Sequence, residues 1–270
     1  MERLRVLFCC GCLIQTHHVF CGNRFVQICF PIFGPAPEGS TMPQHGFARV
    51  NTWEYKGSHN EGDMATTAEF ELLFKNVSAG IGENNPWANA SSDGTDCKLT
   101  YKVRVEAEEL TTTLKIENTG TSSFDFKCLL HTYLAVDNVS DVKVHGLGGY
   151  AITDKVSGDS GHVQSYDDDI VIDGEVDAVY IHPDNHPTIH AKVFPNGVRI
   201  EAAGQVDEVS SPVSCVVWNP GKDKAAGMSD FGDEEYKNMV CVEPGLIGHQ
   251  PLLTPGATAR LSQSLLVANK

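Results

Sequence analysis

The sequence predicts an all-β fold, a large antiparallel β-sandwich, on three observations. Short segments of apolar–polar alternation recur along the chain. Gly, Pro, Asn and Asp punctuate the joins between them. No window carries an apolar stripe of helical spacing longer than about two turns. Strands joined by turn residues without intervening helices favour antiparallel pairing over a βαβ fold. The chain has 270 residues and no Gly/Ser linker, internal repeat or charge block to divide it. One sandwich domain is therefore expected over residues 28–270, preceded by a divergent segment, 1–27, that is partly disordered or not native.

The start, "MERLRVLFCCGCLIQ", pairs a basic residue with a short apolar run, as signal peptides do, but no small-residue cleavage site follows. A cytoplasmic protein is expected. Cys9 and Cys12 with His17 and His18 have a spacing that zinc uses, in the least patterned part of the chain, where an apolar thiol-bearing segment is the plainer reading. Nine cysteines at uneven spacing do not form a disulfide framework.

Residues 31–46, rich in Pro and Gly, read as an ordered loop crossing a surface. At its end, "MPQHGFARVNTWEY" sets Gln44, His45 and Arg49 around the turn-forming Gly46, a group of donors suited to an anionic, hydroxyl-rich ligand. The strands follow. "LTYKVRVEA" turns Leu99, Tyr101, Val103 and Val105 to one face, and "LTTTLKIEN" repeats the alternation before an Asn-Thr-Gly turn.

In "FDFKCLLHTYL", Phe124, Phe126, Cys128 and Leu130 share one face, and Asp125, Lys127, Leu129, His131 and Tyr133 the other. With the first face in the core, His131 points to the opposite surface of the sheet. "DKVSGDSGHVQSYDDD" (154–169) is polar and reads as loop. In "EVDAVYIH", Asp177 lies opposite Ala178 and Tyr180. In "NMVCVEPG", Met239, Cys241 and Glu243 share a face, and Pro244-Gly245 is expected to stop the strand, leaving Glu243 at the lip of a cavity. Trp53 and Trp218 could stack on a sugar or simply pack. From spacing alone, a hydrogen-bonded histidine and a solvated glutamate remain the plainer readings of His131 and Glu243.

A net charge of -15 and a pI near 5.0 exclude a nucleic-acid partner, because phosphate backbones need a basic surface. A small anion is still allowed, since a few local cations outweigh a distant, screened acidic surface. No phosphate loop, dinucleotide fingerprint, HExxH or legible nucleophile–base arrangement is present.

"PQHGFARVNTWEY", "LLHTYLAV", "DAVYIH", "VVWNP", "GMSDFGDEEYKNMVCVEPG" and "LTPGATARLSQSL" occur in the order and style of the glucose-6-phosphate 1-epimerases. The chain resembles these hexose-6-phosphate mutarotases of the aldose 1-epimerase superfamily over roughly residues 28–267. The resemblance implies a galactose mutarotase-like sandwich whose concave polar face binds the sugar. It implies His131 and Glu243 as the catalytic pair, Gln44, His45 and Asp177 as substrate contacts, and Arg49 directed at the phosphate. It also implies a monomer acting on a small-molecule hexose 6-phosphate, with no metal, no cofactor, no nucleic acid and no membrane. In that reading Glu243 is the base and His131 the acid, its pKa raised by the nearby carboxylate.

One departure stands out. The family carries an arginine in an Arg-Gly-Gly-Ile-Pro run ahead of the "FP-x-FGP" segment, whereas this chain reads "GNRFVQICFPIFGP". Asn23 falls where the arginine belongs, Arg24 lies one place along, and a one-residue shift on a strand reverses the face. Either a bulge restores Arg24 as a phosphate ligand, or phosphate binding is weakened, or the start of the chain is not the native one. Two alternatives stand beside the leading reading: mutarotation of an unphosphorylated aldose, and a non-catalytic sugar-phosphate-binding sandwich.

Overall fold

The computed structural model describes residues 26–267 except 63, 185, 196 and 230. Among them, strands dominate and helices are single turns or little more, such as Ala90–Asp93 and Gly221–Ala226. No helix of the described residues is long and apolar enough to cross a membrane.

Two antiparallel sheets form the sandwich. The first runs Gln27–Cys29, Cys128–His131, Met239–Leu246, Ser214–Asn219, Val176–Ile181, Ala151–Asp154 and Ser160–Val163, with Tyr133–Ala135 also paired to Met239–Leu246. The second is built on Thr188–Phe194, Val198–Val206, Thr258–Val267, Glu109–Asn118, Cys97–Glu106, Ala65–Leu73 and Glu54–Glu61, with shorter strands at its margin.

Alternation explains the layering. In Glu109–Asn118, Leu110, Thr112, Leu114, Ile116 and Asn118 are buried while their neighbours stay partly open. Leu114, Ile116, Ile200 and Leu261 of the second sheet join Cys128, Leu130, Val217, Val240 and Val242 of the first in one core. The strand Met239–Leu246 is buried along its whole length. Its other face belongs to a second apolar group that includes Cys29, Leu129, Val216, Trp218 and Cys241. A strand covered on both sides can hold a polar side chain away from water.

Three expectations need correction. The run "FDFKCLLHTYL" is not one strand but three, Phe124–Asp125, Cys128–His131 and Tyr133–Ala135. The break at Thr132 comes where its hydroxyl bonds Leu130 O and Gln263 beneath the sheet. Pro244-Gly245 does not stop its strand: Pro244 pairs with Cys215 and Gly245 with Ser214. On the other side, pairing to the strands around His131 has a gap at residues 242–244, so no regular bridge there needs the N–H that proline lacks. Finally, the polar run 154–169 contains a strand, Ser160–Val163, that returns against Ala151–Asp154. Its residues are exposed, so it carries no alternation to read.

The loop 31–46 is ordered by both backbone and aromatic contacts. Phe30 N–H donates to His45 O, Ala48 N–H to Phe30 O and His45 N–H to Gly34 O. Beneath it, the rings of Phe30, Phe47 and Trp87 meet edge to face at 5.4–5.7 Å.

Candidate active site

A transverse row of side chains crosses the first sheet on the face away from the core. Gln27 pairs with His131, Glu243 with Val216, Val216 with Val179 and Val179 with Thr153. The step between His131 and Glu243 follows from register. Gly245 lies opposite Leu129 and Cys241 opposite Tyr133, so Glu243 and His131 stand across from each other between those pairs. Such neighbours hold their Cβ atoms about 4.5–5.5 Å apart, and here His131 Nδ1 reaches within 3.3 Å of Glu243 Oε1. Gln27, His131, Glu243, Val216, Val179 and Thr153 all line a cleft of about 700 Å³.

Glu243 lies on the floor of that cleft, not at its lip: it is 1% exposed and His131 8%. The imidazole stacks on Tyr133 at 4.7 Å and 4°, with the rings of Trp218 and His45 edge-on. His131 Nδ1 and Glu243 Oε2 have no hydrogen-bond partner among the described residues.

Burial is the largest influence on both groups and drives each towards its neutral form. It holds His131 well below the usual histidine range, with His45, Arg49 and Lys155 pushing the same way. It raises Glu243 well above the usual carboxylate range; Asp177 adds to this and Lys155 opposes it. The expectation that the carboxylate lifts His131 is thereby overturned: burial, with His45, Arg49 and Lys155, lowers it instead.

The loop supplies one wall. Gly46 has φ +77°, and a Cβ there would meet Phe30 O at 2.2 Å, so only glycine closes this turn. His45, also at positive φ, accepts Gly34 N–H on Nδ1 at 3.2 Å. Its ring proton then sits on Nε2, 3.2 Å from Gln44 Nε2, so the Gln44 amide must be turned to bring its oxygen there as acceptor. Burial first, then Arg49 and Lys155, lower His45 to about 4. Arg49 Nη1 donates to Gln27 Oε1 at 3.2 Å.

The opposite wall carries Asp177 between two lysines, Lys155 at 3.3 Å and Lys224 at 3.7 Å. Lys155 also lies 4.2 Å over the Phe33 ring. The Lys155 N–H donates to Asp177 O, joining the start of the hairpin turn to the sheet.

Gln44, His45, Arg49, His131, Asp177 and Glu243 thus come together around one cleft. Trp218 joins them; Trp53 does not, packing on Tyr101 and donating to Ala48 O. Arg24 and the cluster Cys9, Cys12, His17 and His18 lie outside the described residues. Sequence reasoning missed Lys127, Lys155 and Lys224, which add positive charge to the cleft. The signal for Lys127 is the alternation that sets it on the face of His131; that for Lys155 is the Asp154–Ser157 turn that presents it. The described cysteines, Cys29, Cys97, Cys128, Cys215 and Cys241, are free and buried. Donor atoms of Cys241, His131 and Glu243 lie within 4.8 Å of one another.

Residues 22–266 match the sequence profile of the aldose 1-epimerase family. A candidate glucose-6-phosphate 1-epimerase of Escherichia coli is 31% identical over 245 residues, which cover 91% of this chain and 74% of that protein. One from Cenchrus ciliaris is 29% identical over 238 residues, 86% of this chain and 66% of its own. The chain therefore spans about two thirds to three quarters of the length of these relatives. The crystal structure of a candidate mutarotase from Salmonella typhimurium superposes with a TM-score of 0.69 at 27% identity, covering 93% of this chain and 80% of that one.

Proposed function

The chain belongs to the aldose 1-epimerase family, and on that premise we propose that it interconverts the α and β anomers of a hexose 6-phosphate, glucose 6-phosphate foremost. The observation that carries this reading is the His131–Glu243 contact of 3.3 Å on the floor of a cleft whose walls bear Arg49, Lys127, Lys155 and Lys224. In a chain of net charge -15, that concentration of cations favours an anionic sugar. The names of the curated relatives support the same substrate.

Anomer exchange needs one group to remove the proton of the C1 hydroxyl and another to protonate the ring oxygen. As the C1–O5 bond breaks, the O1–H electrons become the C1=O double bond. Rotation about C1–C2 and reclosure on the other face give the second anomer. The pair suits this chemistry because it holds one labile proton. Burial favours that proton on Glu243; its transfer to His131 Nδ1 leaves an imidazolium to protonate the ring oxygen and a carboxylate to take the hydroxyl proton. The residues exchange roles for closure. Gln44, His45 and Asp177 hold sugar hydroxyls, and Arg49 presents a planar fork to the phosphate. Binding energy gathered at that remote anion positions C1.

The test follows anomer exchange of glucose 6-phosphate by NMR. Exchange above the uncatalysed rate in the native chain, abolished in both His131→Ala and Glu243→Ala, is expected. Undiminished exchange in the Glu243 variant contradicts the mechanism.

A further inference from the structure

We infer that His131, Cys241 and Glu243 form a binding site for a soft divalent cation, zinc above all, and that its occupancy shuts the cleft to catalysis. The binding does not depend on the proposed function; the inhibition rests on it.

Strand register produces the site. Cys241 and Glu243 are two residues apart on one strand and share a face, while Cys241 lies opposite Tyr133 and so diagonal to His131. A nitrogen, a sulfur and an oxygen donor are thereby brought within 4.8 Å of one another. Tetrahedral zinc, with bonds of about 2.0–2.3 Å, holds its ligand atoms about 3.5 Å apart. The His131–Glu243 approach of 3.3 Å already meets that spacing. The thiol, no more than 4.8 Å from either, closes to the same spacing when the metal binds.

Two observations point to a ligand rather than to packing. His131 Nδ1 and Glu243 Oε2 are buried without a hydrogen-bond partner among the described residues. Such groups are costly to leave unmet; a cation would satisfy the imidazole nitrogen directly, and the carboxylate when it turns Oε2 to the metal or chelates through both oxygens. The donor set then selects the metal: imidazole with thiolate suits zinc and its soft neighbours, whereas magnesium and calcium need oxygen ligands.

Binding is balanced in protons. The Cys241 thiol releases its proton to solvent, as does Glu243 when protonated, and the cation accepts a lone pair from each of the three side chains. Three protein ligands leave the fourth tetrahedral position open. With the imidazole and carboxylate lone pairs committed to the metal, neither can carry a proton to or from a sugar.

The site is tested on the full chain, freed of metal with a chelator and titrated with cobalt(II) as a spectroscopic stand-in. The native chain is expected to develop thiolate-to-cobalt charge-transfer absorption and the visible bands of a tetrahedral centre. Cys241→Ala and His131→Ala, checked for native circular dichroism, are each expected to lose them. Absence of the bands in the native chain, or their survival in either variant, overturns the site, the latter because the metal then sits on other cysteines. In parallel, zinc is expected to bring native exchange to the uncatalysed rate, reversibly with chelator, and to leave Cys241→Ser unaffected. Zinc inhibition that persists in Cys241→Ser overturns the assignment. Cobalt bands in a chain that shows no exchange at all would refute the proposed function while leaving the metal site standing.

Discussion

His131 and Glu243 face each other from neighbouring antiparallel strands, 112 positions apart in the chain, with Nδ1 and Oε1 separated by 3.3 Å. The contact falls in the gap of an otherwise regular ladder, beside Pro244. Alternation along each strand turns both side chains away from the core and into the cleft.

Glu243→Gln keeps the size of the side chain and removes its proton transfer. General acid–base groups contribute about 10²–10⁴-fold. A loss of kcat of at least that size is expected for Glu243→Gln, and a fall to the uncatalysed rate for His131→Ala, with circular dichroism unchanged. NMR exchange rates at saturating glucose 6-phosphate check it, and a native rate in either variant removes that residue from the mechanism.

Arg49→Ala and Lys155→Ala act on the phosphate. A hydrogen bond to a charged group is worth about 1.5–3 kcal/mol, so KM for glucose 6-phosphate should rise about 10- to 100-fold with a smaller change in kcat. Lys155→Arg should recover part of the loss. Turnover of unphosphorylated glucose, measured alongside, should not fall; an equal loss on both sugars would show that these residues do not read the phosphate.

Gly46→Ala places a Cβ 2.2 Å from the Phe30 carbonyl oxygen at φ +77°. The loop bearing Gln44, His45 and Arg49 must then shift. A destabilisation of at least about 2 kcal/mol by urea unfolding is expected. Stability equal to that of the native chain would mean that the turn is not closed by this contact.

His45 links stability to pH. Burial, Arg49 and Lys155 lower its imidazole from 6.5 to about 4. Between those values the unfolded chain binds a proton here that the native chain does not. Its contribution is therefore full above about pH 6.5 and is lost as pH falls towards 4. The difference of 2.5 units corresponds to at most about 3 kcal/mol. His45→Asn suits the positive φ and lacks the titration. Unfolding free energies at pH 7 and pH 4.5 should fall further in the native chain than in this variant. Parallel falls would show that His45 is not the group responsible.

The sequence by itself determined the class of fold and the face that each candidate occupies. Alternation is local, and it placed His131, Asp177 and Glu243 off the core because Leu130, Ala178 and Val242 are on it. The long motifs around Arg49, His131 and Glu243 were legible for the same reason: they are contiguous. Tertiary structure decided everything that depends on which strands meet. It set His131 opposite Glu243 and Lys155 against Asp177, and it carried the strand through Pro244 by leaving a gap in the ladder. It also reversed the electrostatics of the pair. Two groups judged by their ordinary titration form an imidazolium and a carboxylate, but burial drives each towards its neutral form. A residue's identity and face are written along the chain, whereas the solvent around it exists only once the sheets have closed.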